Sequence, residues 1–396
     1  MKIRLLTSML LIANIVQAQD ISIGIFHNKQ IKKGFFETKS GKYIIKTANK
    51  RVYTLKKDRS LILKSTKLGV NISNEKKDFG LYEEISIVGR KIGYFKRLFI
   101  PHNQRKNIIN IKLITPKLKT RQYEGDLYVS LKKNHLKIIN KPPFQEYIAG
   151  VVEAESGTNA ELEYYKNQAV ICRTYALKAW DKHKKDGFNL CDGVHCQAYK
   201  GKGAADDKIA KAVKKTKDLV IVDKNDHLIS ALYSANCGGQ TNNSEDVWFS
   251  EVSYLRSRKD EYCTDQRQAF WDKTIDVKVF KKFLNGNNII LPGTMAAESF
   301  AFNQPERLKY YEINNQEIKL TTIRYGLHLR STFFNIVPDG NQLKIHGRGY
   351  GHGVGMCQEG AMNMAKKGKK YDDIIKYYYK GVKIKSLRKV KNIGEL

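Results

Sequence analysis

The 396-residue chain is 41% hydrophobic and 10% aromatic, enough to bury a sizeable core, which excludes a disordered protein and suits two or three folding units. Its formal charge of +32, from 71 basic and 39 acidic residues, would ordinarily indicate nucleic acid, because phosphate neutralisation drives non-specific binding. The amino terminus argues against that partner, and two readings of the charge remain: a solvated lysine-rich surface, or a surface that holds an anionic polymer of the cell envelope.

The chain opens on Met1-Lys2-Ile3-Arg4, then an apolar run from Leu5 to Val16, then small residues around Gln17-Ala18. This is the pattern of a secretory signal over 1–18, too short to span a bilayer, with a short uncleaved anchor as the alternative. The mature protein is therefore expected to be exported to the periplasm or cell envelope, without a transmembrane span and without nucleic acid as a partner. From Ile21 to Thr120 short β-branched and aromatic runs such as "ISIGIF" and "NIINIKLI" alternate with Gly, Asn and Lys clusters, which reads as a β-rich accessory domain over 19–120. A second domain is expected over 121–385. It begins with strands "LYVSLKK" and "HLKIINK", which run into Pro142-Pro143 ahead of a helix.

Helices are then predicted through "FQEYIAGVVEAES" and "NAELEYYKNQAVICRTYALKAW", the second with Thr158 and Glu161 spaced as a capping box. A helix at "DDKIAKAVKKTK" follows, then a hairpin of "LVIV" and "LISALYS" around Lys224-Asn225-Asp226. Between Thr274 and Leu320 the periodicity is weak. The end of the chain reads as a strand "QLKIHG", a glycine-rich loop, an amphipathic helix from near Met356, and a basic tail over 386–396. Strands and helices in separate runs give an α+β fold class.

One acidic residue stands out. On a helix, Tyr147, Val151 and Glu155 are four apart, and Ile148 and Val152 share their stripe, so Glu155 lies on the apolar face whereas Glu146 and Glu153 fall on the other side. Burial raises the pKa of a carboxyl, and Gly157 is a natural helix stop that puts Glu155 in the last turn, where the helix dipole acts in the same direction. That is the profile of a general acid. The competing reading is a structural ion pair with Arg173 on the following helix.

The wording and order of "EYIAGVVEAES", "KNQAVICRTYAL", "HCQAYKG", "LYSANCGGQTNNSEDVW", "YLRS", "LHLRSTFF" and "GRGYGHGVGMCQEGA" resemble the SpoIID/LytB family of stage II sporulation protein D, from about Gln122 to Lys385. The resemblance implies a SpoIID-like catalytic domain and a lytic transglycosylase acting on peptidoglycan glycan strands lacking stem peptides. Such an enzyme cleaves the bond from N-acetylmuramic acid to N-acetylglucosamine without water and leaves a 1,6-anhydro end. It also implies that Glu155 is the acid/base and that Arg173 and Arg256 bind substrate, Arg256 standing where the family has a lysine. The alternative for Arg256 is a salt bridge to Glu245 or Asp246. Where family members commonly have Met-Pro after the glutamate, this chain has Ser156-Gly157.

In the glycine-rich run, bare backbone allows close approach of a sugar, with His352 and Gln358 as hydrogen-bonding groups; Ser234 and Asn236 in "SANCGGQT" are similar candidates, and internal hydrogen bonding is the alternative for all four. The resemblance suggests Cys191, His195, Cys196 and His183 as ligands of a structural zinc ion, against which stands a disulfide of Cys191 with Cys196 or a distant partner. Cys237 and Cys263, which bracket one loop, are the preferred disulfide, while Cys172 and Cys357 read as packed among small apolar residues. Three other functions stay open: a non-catalytic glycan-binding enhancer of another cell-wall hydrolase, a muramidase that uses water, and a polyanion-binding protein that works by charge alone.

Overall fold

In the strand Lys33–Ser40 every second residue, Gly34, Phe36 and Thr38, is buried, and Leu61 and Leu63, Ile109, Ile111 and Leu113, and Leu127 and Val129 repeat that alternation in neighbouring strands. A period of two buries one face of each strand, and the chain builds sheets that close over a common core. The computed structural model describes residues 21–90, 106–203, 207–248 and 250–390. The expected signal segment lies outside them.

Two sheets form the first half. A seven-stranded sheet runs, in spatial order, through the strands at 190–191, 23–25, 135–141, 126–132, 84–89, 43–46 and 51–55. A six-stranded sheet runs through 121–124, 108–115, 33–40, 60–65, 70–73 and 78–82. The hydrogen-bond ladders cross the expected domain boundary near Arg121, since Arg121–Glu124 pairs with Ile108–Thr115 and Asp126–Lys132 pairs with Glu84–Gly89. Ile23–Ile25 reaches further still, pairing with both His135–Lys141 and Leu190–Cys191.

Helix α1 (Phe144–Ser156) and α2 (Leu162–Lys178) lie against these sheets and share their hydrophobic core, with α3 (Asp207–Lys215) packed on both. The capping box at α2 is not formed. Glu161 is the N-cap and its side chain makes no capping bond, while the hydroxyl of Tyr165 ties down the preceding turn by accepting from the Ala160 N–H and donating to the Gly157 carbonyl. The expected hairpin forms only next to its turn, where Val222 bridges Leu228 in antiparallel register; along its length Leu219–Val222 pairs instead with Lys383–Ser386, which reaches into the expected basic tail, and Tyr233–Ser234 pairs in parallel with Met356–Cys357. The turn itself survives, with Asp223 donating its N–H to the His227 carbonyl.

The stretch with weak periodicity builds a second core of its own. Strands at 270–276, 334–339 and 342–348 form a three-stranded sheet, covered by α4 (Val277–Asn285) and by α5 (Leu320–Gly326), around Trp271, Phe280, Phe300, Tyr311, Ile323 and Phe334. Helices α6 (Gln358–Lys366) and α7 (Tyr371–Tyr378) return to the main core. The chain is α+β, and no helix among the described residues is long and apolar enough to cross a membrane.

Candidate active site

Helix α1 ends where its sequence says it must. Gly157 takes φ +67°, a left-handed conformation that costs glycine nothing, and its N–H closes on the Glu153 carbonyl. Tyr147, Ile148, Val151 and Val152 are fully buried, and the next side chain along that stripe, Glu155, comes out at the foot of an open cleft of about 980 Å³ between the main core and the second one. Glu155 is half-buried. Its Oε1 accepts the Ala198 N–H at 2.6 Å and the Tyr233 side chain hydrogen-bonds it as well. Desolvation is the largest influence on this carboxyl and lifts its pKa above the ordinary carboxylate value, against the opposing pull of Ala198, Tyr233 and the Lys200 charge.

Among the described residues that line the cleft, Glu155 is the only carboxylate; the others include the aromatic and basic side chains of Tyr175, Lys182, Tyr233, Trp248, Arg324, Arg330 and Tyr350 and a few aliphatic ones such as Val194 and Leu329. Ser234, His352 and Gln358 line it too. The Gln358 side-chain amide donates to the Glu155 carbonyl at 3.3 Å, which ties the start of α6 to the end of α1. Ser234 Oγ has no partner among the described residues. His352 accepts the Val354 N–H on Nδ1 at 3.0 Å and packs on Trp248, and burial together with the nearby Arg324 charge brings its pKa down to about 4, so the ring is neutral at physiological pH.

Close backbone approach is what the glycine-rich run provides. Gly351 has φ +114° and a Cβ there would stand 2.8 Å from Ser234 Cβ; Gly355 has φ +74° and a Cβ there would stand 2.1 Å from the Leu232 carbonyl oxygen. Only glycine lets the loop 349–355 pack flat on 232–236 and deliver His352 and Gln358 to the cleft.

Three candidates lie elsewhere. Arg173 does not reach Glu155 or the cleft: it is fully buried, donating to the Leu219 carbonyl at 3.1 Å and to Gln145 Oε1 at 3.0 Å, so the ion pair Glu155–Arg173 is absent. Burial lowers its pKa to about 10, with Asp218 opposing, and it keeps its charge at neutral pH. Arg256 pairs with Glu245 and, at 2.7 Å, with Glu251, away from the cleft lining. Asn236 is buried and internally satisfied, donating to the Cys263 carbonyl and to Glu359 Oε2 and accepting the Gly238 N–H.

Beside the cleft, His183, Cys191, His195 and Cys196 bring their ligand atoms within 4.8 Å of one another. His183 Nε2 is 3.3 Å from His195 Nδ1, and both sulfurs are 3.9 Å from that same nitrogen. The other ring nitrogen of His183, Nδ1, hydrogen-bonds Asp186 Oδ2 at 3.0 Å, the kind of outer partner that orients a metal-binding imidazole. Cys191 is held well below the usual thiol range by hydrogen bonding from Cys196, the Gly193 N–H and the two imidazoles, and Cys196 is raised in turn. The donor set fits a tetrahedral zinc ion. Cys237 and Cys263, the expected disulfide, are adjacent thiols with their sulfurs 3.4 Å apart and no bond between them.

Comparison with known proteins places this arrangement. The family model for stage II sporulation protein matches residues 132–222, which carry α1, Glu155, α2 and the histidine–cysteine cluster. Stage II sporulation protein D of Bacillus subtilis (strain 168) is 31% identical over 258 residues, covering 61% of this chain and 74% of that protein. The chain belongs to the SpoIID family. Stage II sporulation protein D of Bacillus amyloliquefaciens is 29% identical over 299 residues, covering 72% of this chain and 85% of its own length. The amidase enhancer of Bacillus subtilis (strain 168) is 27% identical over 292 residues, covering 60% of this chain and 40% of its own.

In this SpoIID chain, sequence reading missed the second wall of the cleft. Arg324, Tyr325, His328 and Arg330 come from α5 and the turn after it; His328 and Arg330 stand in "LHLRSTFF", but the elements of this region are too short to show a period. Tyr233 and Ala198 sit inside quoted motifs, but an N–H donor carries no side-chain signal and Tyr233 reads as a strand residue.

Proposed function

We propose that this SpoIID-family protein, whose family membership carries a cell-wall-related role, is a lytic transglycosylase that cuts peptidoglycan glycan strands between N-acetylmuramic acid and N-acetylglucosamine. The observation that carries the reading is Glu155: a desolvated carboxyl, protonation-prone, and the only acid among the described residues that line an open cleft of about 980 Å³.

One carboxyl suffices for the reaction. Protonated Glu155 gives its proton to the glycosidic oxygen as the bond to the anomeric carbon breaks. The resulting carboxylate, steadied by the Ala198 N–H and Tyr233, takes the proton of the muramic acid 6-hydroxyl while that oxygen bonds the anomeric carbon. The 1,6-anhydro ring closes, no water is consumed and the enzyme regains its proton. Arg324 and Arg330 are the cleft cations suited to the lactyl carboxylate of muramic acid, and Ser234, His352 and Gln358 suit hydroxyl and acetamido groups. A muramidase would need a second carboxylate facing the first to activate water or trap the sugar, which the cleft lining does not favour.

His183, Cys191, His195 and Cys196 would hold a structural zinc ion, which when bound supplies a cross-link rather than chemistry. The loop it would hold, through His195 and Cys196, is the one that presents the Ala198 N–H to Glu155. Export to the cell envelope and cooperation with another wall hydrolase, in line with the amidase-enhancer relative, belong to the same reading.

Mass spectrometry of digests of peptide-free glycan strands tests it: anhydro ends are expected, and reducing ends would mean a muramidase. No cleavage by the wild-type protein, with glycan binding retained, would leave the enhancer role.

A further inference from the structure

A second cluster, on the far side of the glycine-rich loop from the cleft, has no part in the chemistry above. Cys237, Asp260, Cys263 and Cys357 come from three separate stretches of chain, all four are buried, and their sulfurs and one carboxylate oxygen lie within 4.8 Å of one another. Cys237 Sγ is 3.4 Å from Cys263 Sγ and 3.2 Å from Asp260 Oδ2. Around a tetrahedral zinc with Zn–S ~2.3 Å and Zn–O ~2.0 Å, neighbouring sulfurs are about 3.8 Å apart and sulfur and oxygen about 3.5 Å, so small shifts admit an ion.

We propose that Cys237, Asp260, Cys263 and Cys357 form a second, structural binding site for a thiophilic divalent cation of the zinc class. Three sulfurs cannot all be paired by one disulfide. Backbone N–H groups point at the sulfurs as they do at thiolates: Gly239 donates to Cys263, and both Cys237 and Gly360 donate to Cys357. Asp260 is buried with no ion-pair partner among the described residues, and its oxygens accept only from Tyr262 N–H, the Tyr378 hydroxyl and the Cys237 thiol. A buried carboxylate without a cation is costly, and a divalent ion offsets it. Three sulfurs and one oxygen select zinc over calcium or magnesium, and a closed, water-free four-ligand set makes the ion structural.

The ion would staple the segment after Ser234, the turn at Glu261–Cys263 and the start of α6, so that Ser234 and Gln358 keep their places on the cleft wall. Sequence spacing hides the site, because its ligands are scattered from 237 to 357 in no standard motif. The site is independent of the histidine–cysteine cluster and of the proposed reaction.

The test uses the full chain purified without reductant or added metal, with zinc counted by elemental analysis and each cysteine followed by alkylation and peptide mapping, before and after chelator. A zinc ion that stays bound in Cys191→Ser and is lost when Cys263→Ser is added to that variant is expected, with Cys237, Cys263 and Cys357 protected from alkylation until the chelator is added. Zinc confined to the Cys191 cluster, free alkylation of the three thiols, or a Cys237–Cys263 disulfide in the unreduced map would overturn it. If Cys263→Ser does not fold, the alkylation map of the intact chain still decides.

Discussion

The Ala198 N–H and the Glu155 carboxylate are 2.6 Å apart although 43 residues separate them. This bond holds one oxygen of the carboxyl in place and leaves the proton to the other. It also stabilises the anionic form, so desolvation, which favours the neutral acid, is opposed by the same group that orients the site. A carboxyl balanced in this way can both give and take a proton.

Replacing that group separates binding from chemistry. Glu155→Gln is expected to lower cleavage of peptide-free strands by at least about 100-fold, the lower range of what a positioned acid/base contributes, while glycan binding in a pull-down is retained. Cleavage within tenfold of wild type would remove Glu155 from the mechanism.

The pH dependence follows from the direction of the shift. Because the folded pKa of Glu155 is raised, the native state holds this proton more tightly than the unfolded chain, so the group penalises folding as pH rises through the folded pKa. Glu155→Gln removes the penalty. Its melting temperature should exceed that of wild type at neutral pH, and the difference should vanish in acid below the unfolded pKa. Wild-type cleavage, which needs the protonated acid, should fall on the alkaline side.

The buried hydrogen bonds of Arg173 predict a role in stability. Arg173→Ala would leave the Leu219 carbonyl and Gln145 without their donor and open a cavity between α1 and α2, a loss of about 3–5 kcal/mol read by denaturant unfolding. With the protein still folded, kcat/KM should stay within about threefold, whereas Arg324→Ala should weaken binding of muramic-acid-containing strands by roughly tenfold or more, as expected for a charged hydrogen bond. The reverse pattern would put Arg173 at the substrate.

Gly355→Ala should be among the most damaging single changes in the loop. The left-handed backbone alone costs about 1–2 kcal/mol for a residue with a Cβ, and the contact with the Leu232 carbonyl adds to it. Thermal unfolding gives the stability, and reduced cleavage should accompany it, since the loop carries His352.

For the histidine–cysteine cluster, Asp186→Asn weakens the hydrogen bond that orients His183 and should reduce zinc affinity by about 10- to 100-fold in a competition assay with a chromogenic chelator. Unchanged zinc affinity would mean that His183 is not a ligand.

Much of this was legible in the residues themselves. The spacing of Tyr147, Val151 and Glu155 is a local property of one helix, and Gly157 as its stop is local too; both are as expected. The strands of the first half show themselves by alternation, and the closeness of Cys191, His195 and Cys196 is plain in the sequence itself. Some local cues misled: α2 begins at Leu162 with Glu161 as its N-cap, past the start that a capping box from Thr158 would set, and the hairpin of 219–234 keeps only its turn end while its strands pair with partners more than 100 residues away. Arg173 reads as a functional arginine, but helix phase alone does not reveal that its guanidinium is taken up by the Leu219 carbonyl and Gln145.

By itself the sequence determined where an acid would meet an apolar surface, because periodicity within one helix is set by backbone geometry that no distant residue alters. Only the tertiary structure decided what faces that acid. The Ala198 N–H, the arginines of the second core and the gathering of Cys237, Asp260, Cys263 and Cys357 come from segments up to 202 residues away from Glu155, and contacts at that range exist only after the chain has closed on itself.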